Sequence, residues 1–387
     1  MGNIVKFGSD VTRIADALEM MARNQSTDVS KMSWGRIASL VHEGKGPAYF
    51  PLGTELNVAK GSSNLIFEVV HHGKLADSNG DLLPHMVLFE KYGPDAVQFD
   101  NYEAVYYAEN GLAAGTYHLT VPSNDGNYIS GKSYQFTLTK AVPKGGQIAG
   151  WERTLWDADK TPLNTKLFTF SSSSSTTPIE TVQATEGTGG TMLGNISSKA
   201  VSTYPLVNSV QRFSYGSNNY AQSAMRQWLN SNGTAGTFWK PTNKFDRPPV
   251  WVSSMAGFLN GVDSDFINVL AKIPRIYPTN TVFETSDYAM GSSYKLADKI
   301  FLASRTEIYG DKENNIADGI GVQFGRFVGS GNTDKIKLDR YNGSTQYCWL
   351  STPLTGYALY VRRVGVDGSM GYDDAHGSSR AVAACII

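Results

Sequence analysis

The C-terminal residues 341–387 constrain this chain more than any other stretch. They end in Ala381-Val382-Ala383-Ala384-Cys385-Ile386-Ile387, seven residues without a charged or strongly polar side chain. Such a tail must be buried, which predicts a packed strand at the end of the chain. Upstream, residues 357–366 read as a strand running into Asp367-Gly368, a strong two-residue hairpin signal. Between turn and tail lies Gly371-Tyr372-Asp373-Asp374-Ala375-His376-Gly377-Ser378-Ser379, polar and built of small residues around a tyrosine. A polar run held by a packed strand predicts a binding face, not a catalytic centre.

The 387 residues exceed one ordinary core, so two or three domains are expected. Charged residues are 18% and the net charge is −1, which argues against a nucleic-acid partner held by phosphate neutralisation. Glycine (39) and tyrosine (20) are plentiful, which favours β structure with long loops. No apolar run approaches the roughly eighteen residues of a membrane span, and no cationic, apolar leader stands at the N-terminus. Neither membrane insertion nor export by that route is expected. The only cysteines, Cys348 and Cys385, are too few for a disulfide scaffold and read as small buried residues.

The hydrophobic pattern predicts an α+β chain in four parts. Residues 1–47 form a helical attachment or oligomerisation segment. Within it, Val11, Ile14, Leu18 and Met21 space an amphipathic helix over 9–23, which either joins three chains or packs on a neighbouring element. A second helix starts after Ser33, at Trp34, and stops near Gly44. Residues 48–145 read as a β-rich, sandwich-like domain, with strands at 65–70, 86–89, 104–107, 117–121 and 134–138. Residues 146–212 are a β-rich connector, or the start of the next domain, with a serine tract at 171–175. Residues 213–387 open with helices at 220–230, capped from 217–219, and at 263–272, and continue with strands at 299–304, 349–351, 358–366 and 381–386.

Catalytic patterns are missing from this sequence. Of the histidines, His71 and His72 are adjacent on one strand and point to opposite faces, so they decorate a strand end and do not share a metal ion. There is no Gly-x-Ser-x-Gly elbow, and 311–315 lacks the spacing of a tight calcium loop. Asp373 and Asp374 could in principle serve glycoside hydrolysis, but they read more readily as solvated loop acids. No catalytic residue, metal site or cofactor is expected.

One segment carries a resemblance. Ser217-Asn218-Asn219-Tyr220-Ala221-Gln222-Ser223-Ala224-Met225-Arg226-Gln227-Trp228-Leu229-Asn230 resembles the helix of the C-type-lectin-like domain that ends phage and prophage tail proteins. Asp298-Lys299-Ile300-Phe301-Leu302-Ala303-Ser304-Arg305-Thr306-Glu307 is similar to a later strand of that domain. Trp349-Leu350-Ser351-Thr352-Pro353 matches its Trp-Leu-Arg-Ser-Pro segment, with Ser351 where arginine is usual. The stretches 32–37, 49–54 and 136–140 are similar to the same tail proteins. The resemblance implies a C-type-lectin-like fold for 213–387, a host surface receptor (protein or glycan) and other tail proteins as partners, a homotrimer, and a place in the virion tail tip. Some members of this fold are rewritten at adenines by diversity-generating retroelements. Residues 357–380 hold only Met370 among the five residue types that rewriting of asparagine codons does not reach. The ending Ser379-Arg380-Ala381-Val382-Ala383-Ala384 departs from the usual Tyr-Gly-Val-x-Pro-Ala.

The ligand surface expected on these grounds comprises Tyr357, Leu359, Tyr360, Arg363, Tyr372, Asp373, Asp374, His376, Ser378 and Ser379. Rigid tyrosines among adaptable Ser, Gly and Asp are what a binding surface wants. Arg362 and Arg363 alternate on their strand, so one should point outward. The rivals are a tail-associated polysaccharide-cleaving enzyme, a purely structural tail subunit, and a cellular ligand-binding protein of the same fold.

Overall fold

The structure is a computed structural model describing residues 29–76, 82–93, 96–104, 106–120, 133–150, 166–172, 178–195, 215–242, 246–278, 293–338, 343–355, 357 and 359–387. The helix expected over 9–23 and much of 146–212 lie outside them. The described chain is strand-rich with a few short helices, an α+β arrangement. None of its helices is long and apolar enough to cross a membrane.

The apolar tail explains the central sheet. Ala383–Ile386 pairs with Leu82–Glu90 on one side and Ile300–Leu302 on the other, in a five-stranded sheet ordered Glu55–Lys60, Ser63–Ala76, Leu82–Glu90, Ala383–Ile386, Ile300–Leu302. Both faces of this strand are covered, which is why the run does not alternate in polarity. Ala383, Cys385 and Ile387 enter one core, while Val382, Ala384 and Ile386 enter another behind the sheet. Its neighbours follow the same pleat. Met86 and Leu88 go to the first core, and Val87 and Phe89 to the second.

The N-terminal helix belongs to that first core. Trp34–His42 is capped by Ser33, whose side chain accepts from the Arg36 amide at 3.3 Å. It ends in a left-handed turn at Gly44 (φ 76°), with Lys45 N–H donating to the Leu40 carbonyl. Trp34 meets Phe266 of the Ser264–Val269 helix with ring centroids 4.7 Å apart. Residues 34–41 therefore pack into the same core as 220–302, and do not form part of a separate attachment segment.

The expected domain limits also shift. A second sheet runs in the order Thr191–Asn195, Gly115–Thr120, Ser133–Leu138, Pro178–Glu186, Lys166–Ser171, Gly146–Gly150, Tyr106–Ala108 around its own core of Leu119, Tyr134, Phe136, Ile148 and Phe170. Strands 55–90 thus join the C-terminal residues, and strands 106–195 pair among themselves, so 48–145 is not one unit. Alternating polarity told which side each strand buries; it carried no information on which strand lies alongside. The helix expected over 220–230 is two pieces, Tyr220–Gln222 and Ala224–Leu229, because Ser223 breaks the first and caps the second by accepting from Arg226 N–H at 3.1 Å.

Candidate ligand-binding surface

Three antiparallel strands, Cys348–Pro353, Tyr360–Val364 and Met370–Asp374, carry the surface. The turn between the last two spans more than Asp367-Gly368. Gly365 N–H donates to the Ser369 carbonyl at 2.7 Å, which leaves three residues in the loop. Gly368 takes φ 78°, the left-handed position such loops require. Asp367 accepts from the Ser369 amide and hydroxyl at 3.0 and 2.6 Å, and these bonds hold its carboxyl below the usual carboxylate range.

This hairpin makes a tyrosine ladder. Tyr360 and Arg362 share one face of their strand, and Tyr372 lies directly across from Arg362. The ring centroids of Tyr357 and Tyr360 are 5.2 Å apart, and those of Tyr360 and Tyr372 are 4.9 Å apart. Tyr357 and Tyr372 are 46% and 51% exposed, so both outer rungs are open to solvent. The ladder is fixed from behind by Asn218, which is fully buried and donates from Nδ2 to the carbonyls of Tyr357 and Tyr360 at 2.7 and 2.8 Å. Sequence reading saw 217–219 only as helix caps. The signal available was two adjacent asparagines where one cap, Asn219, suffices.

Neither arginine reaches freely outward, contrary to expectation. Arg362 forks onto Glu313, with Nε–Oε2 2.8 Å and Nη2–Oε1 3.1 Å, and Arg305 joins the same carboxylate at 2.7 Å. Burial pushes Glu313 up, but the bonds from Arg362, Thr355 N–H and Arg305 outweigh it and hold the carboxyl down. Arg363, on the opposite face, is ion-paired with Asp373, and its guanidinium lies 3.8 Å over the ring of Tyr347. Tyr347 is 39% exposed and was not among the expected residues.

The remaining expected residues divide. Leu359 and Ser379 are 3% and 1% exposed, so they are interior supports and line no surface: Leu359 accepts the Ala375 amide through its carbonyl, and Ser379 pairs with Val97. His376 is turned toward the 97–102 segment, its ring 5.3 Å from Tyr102, and its amide donates to the Tyr215 carbonyl. Ser378 is exposed beside Gln98. Asp373 and Asp374 are strand residues, not loop acids, paired with Val361 and Tyr360. Their alternation sends the two carboxylates to opposite faces. Trp349 and Trp228, both buried, anchor the surroundings by donating indole N–H to the carbonyls of Val97 and Ala256.

Chemically, the surface offers aromatic faces, a guanidinium already committed to a carboxylate, and small polar groups. Among the described residues no three His, Cys, Asp or Glu side chains come together so as to hold a metal ion. Cys348 and Cys385 are buried free thiols, without a bridge between them.

No curated protein and no solved structure matches this chain. The family described as a domain of unknown function, DUF6273, matches residues 179–386, more than half of the 387, and takes in all three strands of the tyrosine surface. The chain belongs to the DUF6273 family.

Proposed function

We propose that the protein is a receptor-binding protein of a phage or prophage tail. In this reading residues 213–387 contain a C-type-lectin-like arrangement, the tyrosine ladder contacts a protein or glycan on the host surface, and the N-terminal residues join other tail proteins in a trimer at the tail tip. The observation that carries the reading is the ladder itself: Tyr357, Tyr360 and Tyr372 in tilted ring contacts at 5.2 and 4.9 Å, with both outer rings exposed and the backbone clamped by Asn218. Rigid exposed tyrosines bind at low entropic cost because few torsions remain to be frozen. Display on several chains would turn weak single contacts into firm attachment. Exposure of the outer rings favours this reading over a structural subunit whose terminal hairpin is buried against neighbours. Opposed Asp373 and Asp374 favour it over a hydrolase using that pair.

The test is adsorption of the fluorescently labelled protein to intact bacterial cells related to the strain that carries the gene. Replacing both Tyr357 and Tyr372 by serine should lower cell binding by about tenfold or more, as expected for central aromatic contacts. The thermal midpoint should move little, because only ring–ring contacts worth about 1 kcal/mol each are lost. Undiminished cell binding by the double variant would overturn the assignment of the ladder.

A further inference from the structure

A cavity of about 340 Å³ lies where the ends of Ser63–Ala76 and Leu82–Glu90 meet residues 271–274. Most of its wall is apolar, including Leu75, Leu83, Pro84, Ile273 and Ile387, and its volume falls within the roughly 300–1,000 Å³ of small-molecule sites. His42 and Lys272, both exposed, also line it. The buried exception in the wall is His85. It is 5% exposed, and neither ring nitrogen has a hydrogen-bond partner.

Its two neighbouring histidines each have a hydrogen-bond partner on one ring nitrogen. His71 Nδ1 accepts the Gly325 amide at 3.2 Å, and His72 Nε2 lies 2.7 Å from the Phe50 carbonyl. Across the strand pair from His85 stands Gly73, where a Cβ would come within 2.7 Å of His85 Cε1 and 2.9 Å of His71 Nε2. The glycine gives the ring room and supplies no side-chain partner for it. An aliphatic residue would close the same wall without leaving polar atoms buried and unpaired, so the imidazole is the feature that calls for a ligand.

We propose that this cavity binds a small, mainly apolar molecule bearing one hydroxyl group, which His85 hydrogen-bonds. At about 30 Å³ for each water-sized group, the space suits about a dozen non-hydrogen atoms. Burial, reinforced by His71 and His72, pushes His85 down to about 4, so the ring is neutral at pH 7. A neutral imidazole offers one donor and one acceptor, and a hydroxyl can meet either. The terminal torsion of histidine is soft, so a modest ring rotation brings a nitrogen to the ligand.

The probes are 2-naphthol, which has about the right size and one hydroxyl, and naphthalene, which lacks it. Calorimetry and ligand-observed NMR on the full chain should show saturable binding of 2-naphthol, about tenfold tighter than naphthalene. Ala271→Trp, which fills the cavity from its half-buried wall, should abolish binding of both. His85→Phe should reduce 2-naphthol to the affinity of naphthalene. Comparing the two probes on the unaltered chain requires no variant to fold. Absence of saturable 2-naphthol binding, equal affinity for both probes, or undiminished binding to a folded Ala271→Trp protein would each overturn the proposal.

Discussion

The same histidine makes the protein sensitive to mild acid in a window that can be calculated. Unfolded, His85 takes up its proton near the ordinary value of about 6.5; folded, it does so only at about 4. Above pH 6.5 both states are neutral at this ring and it contributes no pH dependence. Between 6.5 and 4 the unfolded state binds a proton that the folded state refuses, so stability falls as pH falls, with a slope approaching 1.4 kcal/mol per pH unit. Below about 4 both states are protonated and the loss is complete. Over the window the cost approaches about 3 kcal/mol, a large part of the roughly 5–15 kcal/mol that holds a typical domain together. His71 and His72 are also held down, mainly by burial, and so lose stability in the same direction as pH falls below the ordinary histidine value. Glu313 acts lower: its carboxyl is depressed, so its contribution disappears only as pH falls through the acid range. Urea unfolding followed by tryptophan fluorescence at pH 7, 6, 5 and 4 should therefore show the parent losing stability faster than His85→Phe, with the gap growing until about pH 4. A constant offset from the added phenyl bulk drops out of that comparison. Parallel stability curves for the two proteins between pH 7 and 4 would refute the reasoning, because the ring would then be titrating as it does in water.

Other consequences follow from single contacts. Glu313→Gln should cost about 3–5 kcal/mol in chemical unfolding, because Arg305 and Arg362, with side chains 17% and 15% exposed, lose the charge between them; a loss below 1 kcal/mol would count against that triad. Gly319→Ala should cost more than the about 1–2 kcal/mol of a left-handed backbone, since φ is 67° and the new methyl would lie 2.3 Å from Glu307 Oε1. Gly329→Ala, at φ 68° with nothing within 4 Å, is the control that should lose the backbone term only. Both thiols should resist a thiol reagent in the native protein and react in denaturant, because burial pushes Cys348 up to about 11 and Cys385 higher still; rapid labelling of the folded chain would contradict the packing.

What the sequence revealed, and what it hid, divides along a physical line. Local chemistry was readable wherever one residue decides the backbone: Ser33 starts a helix, Gly44 ends it, and Gly368 turns the hairpin. Burial was readable where polarity has no period, as in 381–387. Reading failed where the outcome depends on partners distant in the chain. Ser63–Ala76 and Leu82–Glu90 lie in one sheet with Ala383–Ile386, about three hundred residues away, and neither pattern nor propensity encodes that choice. One local signal does lie in the sequence. Ser304 and Glu307 form a capping box for the Arg305–Tyr309 helix, a spacing visible in the sequence, yet the segment was expected to remain strand through Ser304.

The candidate surface divides along the same line, with a consequence for how it can vary. Its polar residues looked interchangeable as a string, but Asn218, Glu313, Arg362 and Ser379 are buried or ion-paired supports, whereas Tyr357, Tyr372 and Ser378 are exposed. Substitution at the exposed positions removes little from the core, while substitution at the supports leaves buried polar groups without partners. A surface that changes its ligand while keeping its fold should therefore change first at 357, 372 and 378, and hold 218, 313, 362 and 379 fixed. Deep mutational scanning of 341–387 together with 218 and 313, scored for folded protein, should recover that partition. Equal tolerance at Glu313 and Tyr372 would mean that the Glu313–Arg362 pair beside the ladder is not what keeps it in place.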